Sequence, residues 1–188
     1  MTNIYLIRHG KPAAGWGDDD DPGLDETGHA QAKAAADALL ALPEDRRPTR
    51  VVSSPLKRCR ETAQPFADAL GVEVEIIPAV GEIPTPKALS LTDRPAWLRQ
   101  AMGGTWAAIE GDLDYDAWRR EVSAAVARLP STAVFSHFVA INAVVSHLAG
   151  DDKVIVFRPD HTSMTTLEVG DGGLRLVERG PEAQTGVL

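Results

Sequence analysis

Ile4-Tyr5-Leu6-Ile7-Arg8-His9-Gly10-Lys11-Pro12 is the stretch from which the rest of this chain is read. Four consecutive apolar residues, β-branched and aromatic among them, predict a strand buried on both faces. The run breaks into Arg8-His9, two side chains able to carry positive charge, and then into Gly10, which tolerates positive φ. Open α/β sheets bind ligands beyond the carboxyl ends of their strands, so an Arg-His pair delivered there is a candidate anion site. By itself the stretch fits an ordinary surface arginine and loop histidine equally well.

Outward from it, strands and helices alternate. A Gly/Pro/Asp-rich loop over 15–23 contains four consecutive aspartates, Asp18 to Asp21. The run lacks the alternating ligands of a calcium loop and is read as solvated charge. An Ala-rich helix is expected from Glu26 to Leu42 with Asp25 as N-cap, then a short strand from Arg50 to Ser53. Ser54-Pro55 reads as an N-cap and first-turn proline opening a helix to about Leu70, kinked or split at Pro65. Arg58 falls in its first turn and reaches back toward the sheet edge, whereas Arg60 points elsewhere. An edge strand is expected over Val72–Ile77.

Residues 78–115 are the least regular part, with Pro78, Pro84, Pro86 and Pro95 and one expected helix from Asp93 to about Ile109. They read as an insertion over the active edge, with Glu82 in a loop just past a strand's carboxyl end. Trp97, Met102 and Trp106 are expected to seal the insertion's own core rather than line a cleft. A helix over 116–129 follows, then a strand from Thr132 to Ser136 ending at His137. Next come a nearly all-apolar buried helix over 139–148, strands over 154–157 and 163–169, and a strand over 174–177 paired through Gly170–Gly173. His161 is expected to be a loop residue rather than a substrate contact, and the chain from Gly180 on a tail.

The chain has 188 residues and suits one domain over 1–188 carrying the 78–115 insertion. A hydrophobic fraction of 44% and a charged fraction of 24% describe an ordinary globular protein. A net charge of −8 disfavours nucleic acid or an acidic membrane surface as partner. The single cysteine, Cys59, permits no intrachain disulfide and no cysteine-rich metal site. The early polar residues give no leader, and no apolar stretch reaches membrane-spanning length, so a cytoplasmic protein is expected. Nothing in the composition assigns an oligomeric state.

Arg8 and His9, Arg58, Glu82 and His137 thus fall at four strand-to-loop junctions, which strand-loop-helix units gather at one edge of a sheet. Two guanidiniums, two imidazoles and a carboxylate match a phosphate and its transfer. The quoted motifs are Arg8-His9-Gly10, Leu24-Asp25-Glu26-Thr27-Gly28-His29-Ala30-Gln31-Ala32, Ser53-Ser54-Pro55-Leu56-Lys57-Arg58-Cys59-Arg60-Glu61-Thr62-Ala63 and Ser136-His137. In this order they resemble the histidine phosphatase superfamily, also called the phosphoglycerate mutase-like family, and the resemblance spans most of the chain. It implies an α/β fold, a three-layer α/β/α sandwich on a mostly parallel mixed sheet of about six strands, with no metal and no organic cofactor. It implies His9 as the phosphorylated nucleophile, Arg8, Arg58 and His137 as the phosphate pocket, and Glu82 as proton donor.

The expected activity is hydrolysis of a small phosphorylated molecule through phosphohistidine. A phosphoglycerate-type mutase and a catalytically silent phospho-ligand binding module are the alternatives. The mutase-type extension of the first motif is absent, and Ile83-Pro84-Thr85-Pro86 replaces the family's usual continuation after the glutamate. Lys11 is left without a role.

Overall fold

The computed structural model describes residues 1–15 and 17–184, so Trp16 of the acidic loop and the end of the expected tail lie outside it. Its centre is a six-stranded sheet in the order β3-β2-β4-β1-β5-β6. The strands are β1 (Thr2–Arg8), β2 (Arg50–Ser53), β3 (Val74–Ile76), β4 (Thr132–Ser136), β5 (Met164–Gly170) and β6 (Gly173–Glu178). β1 to β4 run parallel, and β5 is antiparallel to both β1 and β6.

The alternation of side chains along β1 divides the core. Tyr5 and Ile7 face Ala36 and Leu39 of α1 (Glu26–Leu40) and Cys59, Ala63 and Phe66 of α2 (Lys57–Leu70). Ile4 and Leu6 face the other layer, Val122 and Val126 of α4 (Tyr115–Ala127) and Val139 to Val145 of α5 (Phe138–Ala149). Leu98 of α3 (Arg94–Met102) joins this second layer. The result is the three-layer α/β/α sandwich expected from the sequence.

Register sets the site. Arg8 of β1 stands beside Ser136 of β4, and Ser53 of β2 beside Phe135 of β4, so three central strands end level. The ladder continues one residue further, with the His9 N–H donating to Ser136 O at 3.0 Å and the Ser54 N–H to Phe135 O at 3.0 Å. Arg8, His9, Ser54 and His137 therefore emerge together at one edge.

Several local expectations are corrected. Residues 154–157 form no strand. The N–H groups of Val156 and Phe157 donate to Asn142 Oδ1 at 2.9 and 3.2 Å, so a buried amide on α5 satisfies backbone that would otherwise need a sheet. The expected helix over 93–109 stops at Met102, before Gly103-Gly104. The following chain turns to residues 152–154 instead, through Trp106 N–H to Asp152 O and Val154 N–H to Gly104 O. Helix α2 starts at Lys57, not at Ser54-Pro55, and Pro65 does not split it. Asp21 Oδ1 accepts the Lys57 N–H at 2.7 Å, so the acidic loop supplies the cap that Leu56 cannot. Pro65 deletes one helical hydrogen bond, while Ala63, Phe66 and Ala67, all wholly buried, hold the helix on the sheet through that gap. Residues 181–183 are no loose tail: Asp160 N–H donates to Pro181 O and Ala183 N–H to Arg158 O.

Two glycines let the first loop cross α1. A Cβ on Gly28 would lie 2.2 Å from Lys11 O, and one on Gly10 would lie 2.7 Å from Gly28 O. Gly28→Ala is therefore expected to lower stability by about 1–3 kcal/mol, the range for overpacking, measured as a fall in the urea midpoint at unchanged m.

Candidate active site

His9 is held from both sides. Its Nδ1 lies 2.8 Å from Gly10 O, and since a carbonyl only accepts, Nδ1 carries the proton. Its Nε2 accepts from Arg58 Nε at 3.2 Å, which is the same tautomer seen from the other end. The ring is 5% exposed, and burial first, then the Arg58 and Arg8 guanidiniums, lower its proton affinity well below the ordinary imidazole value. Gly10 is anchored in turn, its N–H donating to Thr62 Oγ1 at 2.9 Å on α2.

Arg58, second residue of α2, joins the other groups. Its Nη2 lies 3.3 Å from His137 Nδ1 and 3.6 Å from Glu82 Oε2. Glu82 Oε2 is 3.4 Å from His137 Nδ1, and Glu82 Oε1 accepts the Ile83 N–H at 3.0 Å. Desolvation raises the Glu82 carboxyl above the usual range, against the lowering pull of Arg58. It stands past β3, where Ser136 Oγ donates to Val80 O at 2.7 Å and pins the preceding turn to β4.

His137 is the N-cap residue of α5 and wholly buried. Burial and Arg58 lower its proton affinity well below the ordinary value. Its Nε2 is 2.8 Å from Ser54 Oγ and 3.3 Å from the Sγ of Cys59, whose thiol burial pushes up, keeping it protonated. Arg8 donates from Nη1 to Pro159 O at 3.0 Å and lies over the Phe138 ring at 5.1 Å. Its Nε is buried without a partner, and burial brings its pKa down to about 10. Such a buried donor invites an anionic ligand.

All five residues singled out in the sequence thus meet at one edge. The arrangement offers a lone pair on His9 Nε2, guanidinium donors around it and a carboxyl of raised pKa within reach. From the sequence Ser54 reads only as a helix cap, and a substrate contact is the less favoured of two readings for His161. His161 Nδ1 donates to His9 O at 3.1 Å, with the two rings 5.8 Å apart. The only sequence signal for His161 was its place between two strands, which many loop residues share.

Lys11, left without a role, pairs with Asp25 at 3.1 Å, while its N–H donates to Gln31 Oε1 at 2.8 Å. It ties the first loop to α1. Trp106 is 1% exposed and donates from Nε1 to Ser146 Oγ at 2.9 Å, as expected of a core residue. Trp97 packs against that core yet also lines a groove of about 210 Å³ with Gln100, Gly104, Ile109 and Glu110; none of the five site residues lines it.

Residues 4–180 match the model of the histidine phosphatase superfamily (branch 1). The chain belongs to this family. It is 29% identical over 173 residues to a protein named probable phosphoglycerate mutase GpmB from Enterobacter sp. (strain 638), covering 80% of this chain and 76% of that one. Among solved structures it shares the fold of a phosphoserine phosphatase from Entamoeba histolytica, with a TM-score of 0.75, 22% identity and 98% of each chain covered. The mycobacterial glucosyl-3-phosphoglycerate phosphatase superposes with a TM-score of 0.72 at 23% identity, over 97% of this chain and 100% of that one. The matched span holds the Arg8-His9 pair, Glu82 followed by Ile83-Pro84, and the late His137. Among the described residues no helix is long and apolar enough to cross a membrane.

Proposed function

We propose that the chain is a phosphomonoesterase that hydrolyses a small phosphorylated molecule through a phosphohistidine on His9, without a metal or organic cofactor. The observation that carries this reading is the hydrogen bond from His9 Nδ1 to Gly10 O, which leaves Nε2 as a buried lone pair facing Arg58. A substrate phosphate displaces that ring as Arg58's acceptor and takes the free Nε–H of Arg8. The two guanidiniums then stabilise the charge that builds on the equatorial oxygens during transfer. They also oppose protonation of His9, which keeps it able to attack.

His137 completes the pocket. Its Nδ1 faces Arg58 and Glu82, and a phosphate oxygen needs a donor there. The Ser54 hydroxyl behind Nε2 can either accept or donate. His137 can therefore turn Nδ1 into a donor for phosphate without stranding Nε2. Glu82, whose proton affinity burial raises, gives its proton to the leaving oxygen as the P–O bond breaks. As a carboxylate it then takes a proton from water attacking the phosphohistidine, and phosphate leaves with His9 restored.

The mutase reading has one observation in its favour, the named similarity to a probable phosphoglycerate mutase. The two readings share every step up to phosphohistidine and differ in whether water or a second phosphoglycerate takes the phosphoryl group. A panel of aryl and alkyl phosphomonoesters, assayed for inorganic phosphate with EDTA present, separates them. Release of phosphate at an undiminished rate in EDTA is expected. Turnover confined to interconversion of phosphoglycerates, with no phosphate released, would establish the mutase instead. Binding of the panel without any turnover would leave only the binding module.

A further inference from the structure

His161 lies on a segment that is built with unusual care for a loop. Arg8 Nη1 holds Pro159 O, Thr162 N–H donates to Arg8 O at 2.9 Å, and Ser163 N–H to Asp160 O at 3.1 Å. From outside, Pro181 O accepts the Asp160 N–H at 3.0 Å, and Asp160 Oδ1 accepts the His161 N–H at 2.8 Å. Within this frame Thr162 takes a φ of 57°, a left-handed conformation that β-branched residues rarely adopt. Its Oγ1 donates to His161 O at 2.7 Å. Strain of this kind concentrates where geometry serves a site. Here the bend carries the His161 ring over His9.

The bond from His161 Nδ1 to His9 O settles the tautomer, because the carbonyl can only accept. Nε2 therefore holds a lone pair, and among the described residues it has no hydrogen-bond partner. Burial of the ring and the Arg8 charge lower its proton affinity, so this lone pair is available at neutral pH. Exposure orders the three imidazoles. His137 is 0% and His9 5% exposed, while His161 is only partly buried. His161 thus sits at the mouth, where the group esterified to the phosphate must lie once the phosphoryl group fills the buried end.

We propose that His161 Nε2 reads the leaving group, accepting a hydrogen bond from a hydroxyl or ammonium carried one or two carbons from the ester oxygen. The proposal rests on the phosphatase reading and adds the substrate class to it: hydroxylated or aminated alkyl phosphates over plain alkyl phosphates. The clamp on His9 uses Nδ1, whereas recognition uses Nε2, so the two roles can be separated. Asparagine keeps a donor near the position of Nδ1 and offers nothing at Nε2; glutamine extends an acceptor toward Nε2 and loses the clamp.

The test compares glycerol phosphate with n-propyl phosphate, which share a three-carbon chain and differ in hydroxyls. The wild type is expected to favour glycerol phosphate in kcat/KM by about tenfold, an effect of one hydrogen bond to a site built for it. His161→Asn should reduce that preference to within about twofold, and His161→Gln should retain most of it. An equal fall for both esters in His161→Asn, or no preference in the wild type, would overturn the proposal and leave His161 as a clamp alone. The same ratios are read as affinities by calorimetry on a His9→Ala background, where no turnover is needed. Absent turnover in the wild type therefore defeats the phosphatase reading, while the affinity ratio still decides the role of His161.

Discussion

His9→Ala is expected to abolish phosphate release, by about 10⁴-fold or more, the order of effect seen when a covalent nucleophile is deleted and binding groups remain. The two buried imidazoles differ in which ring nitrogen is free to attack. His9 presents Nε2 to the Arg58 guanidinium, held there by Gly10 O behind it. His137 has its own Nε2 turned away, against Ser54 Oγ and the Cys59 Sγ. The decisive measurement uses substrate labelled in the phosphoryl group and a rapid quench into alkaline detergent, since phosphohistidine survives base but not acid. Label should appear on the peptide containing His9 in the wild type and nowhere in the variant. Turnover that persists in His9→Ala, or label mapped to His137, would reassign the nucleophile. Unchanged far-ultraviolet circular dichroism separates lost chemistry from lost fold.

Glu82→Gln should slow hydrolysis of alkyl phosphates by about 10²–10³-fold and that of p-nitrophenyl phosphate by less than about tenfold. An alkoxide leaves poorly without a proton, whereas a nitrophenolate leaves unaided, so removal of the acid is felt where the leaving group is poor. The same residue sets the direction of the pH profile. In the proposed mechanism Glu82 is protonated in the first step, and burial raises its pKa above the ordinary carboxyl value. The rate on alkyl phosphates should therefore fall as pH rises through that raised pKa, with the falling limb above the usual carboxylate range. His9 must be unprotonated, and its proton affinity is lowered, so the acid limb should lie below the ordinary imidazole value. In Glu82→Gln the falling limb should disappear while the acid limb stays. Equal slowing of good and poor leaving groups would show that another residue donates the proton.

How far the sequence reached depended on how local each signal was. Ile4–Ile7 declared a buried strand because one face packs on α1 and α2 and the other on α4 and α5, leaving no position for a polar residue. The same periodicity failed at 154–157. An apolar run looks alike whether a sheet or scattered acceptors satisfy its backbone; here Asn142 serves Val156 and Phe157 from 14 and 15 residues away, and Gly104 O serves Val154. Helix ends behaved similarly. The ends of α2 at Leu70 and α5 at Ala149 fall at or within one residue of those expected, because each is followed by a left-handed glycine, Gly71 or Gly150, whose C-cap is a property of the glycine itself. The start of α2 was misplaced because its cap, Asp21, comes from the acidic loop.

The sequence by itself determined which ionisable groups gather at the sheet edge. Arg8 closes its strand and His9, Arg58, Glu82 and His137 come after theirs, and parallel strands joined by helices bring such junctions to one edge whatever the details between them. Tertiary structure alone decided how those groups act on one another. The Arg58 guanidinium against His9 Nε2, the raised pKa of Glu82, the Ser54 hydroxyl behind His137 and the His161 ring over His9 all depend on contacts between residues far apart in the chain. Hydrogen bonding and desolvation act over a few ångströms in space. No pattern of neighbours along the chain encodes them until the sheet has set Arg8 beside Ser136.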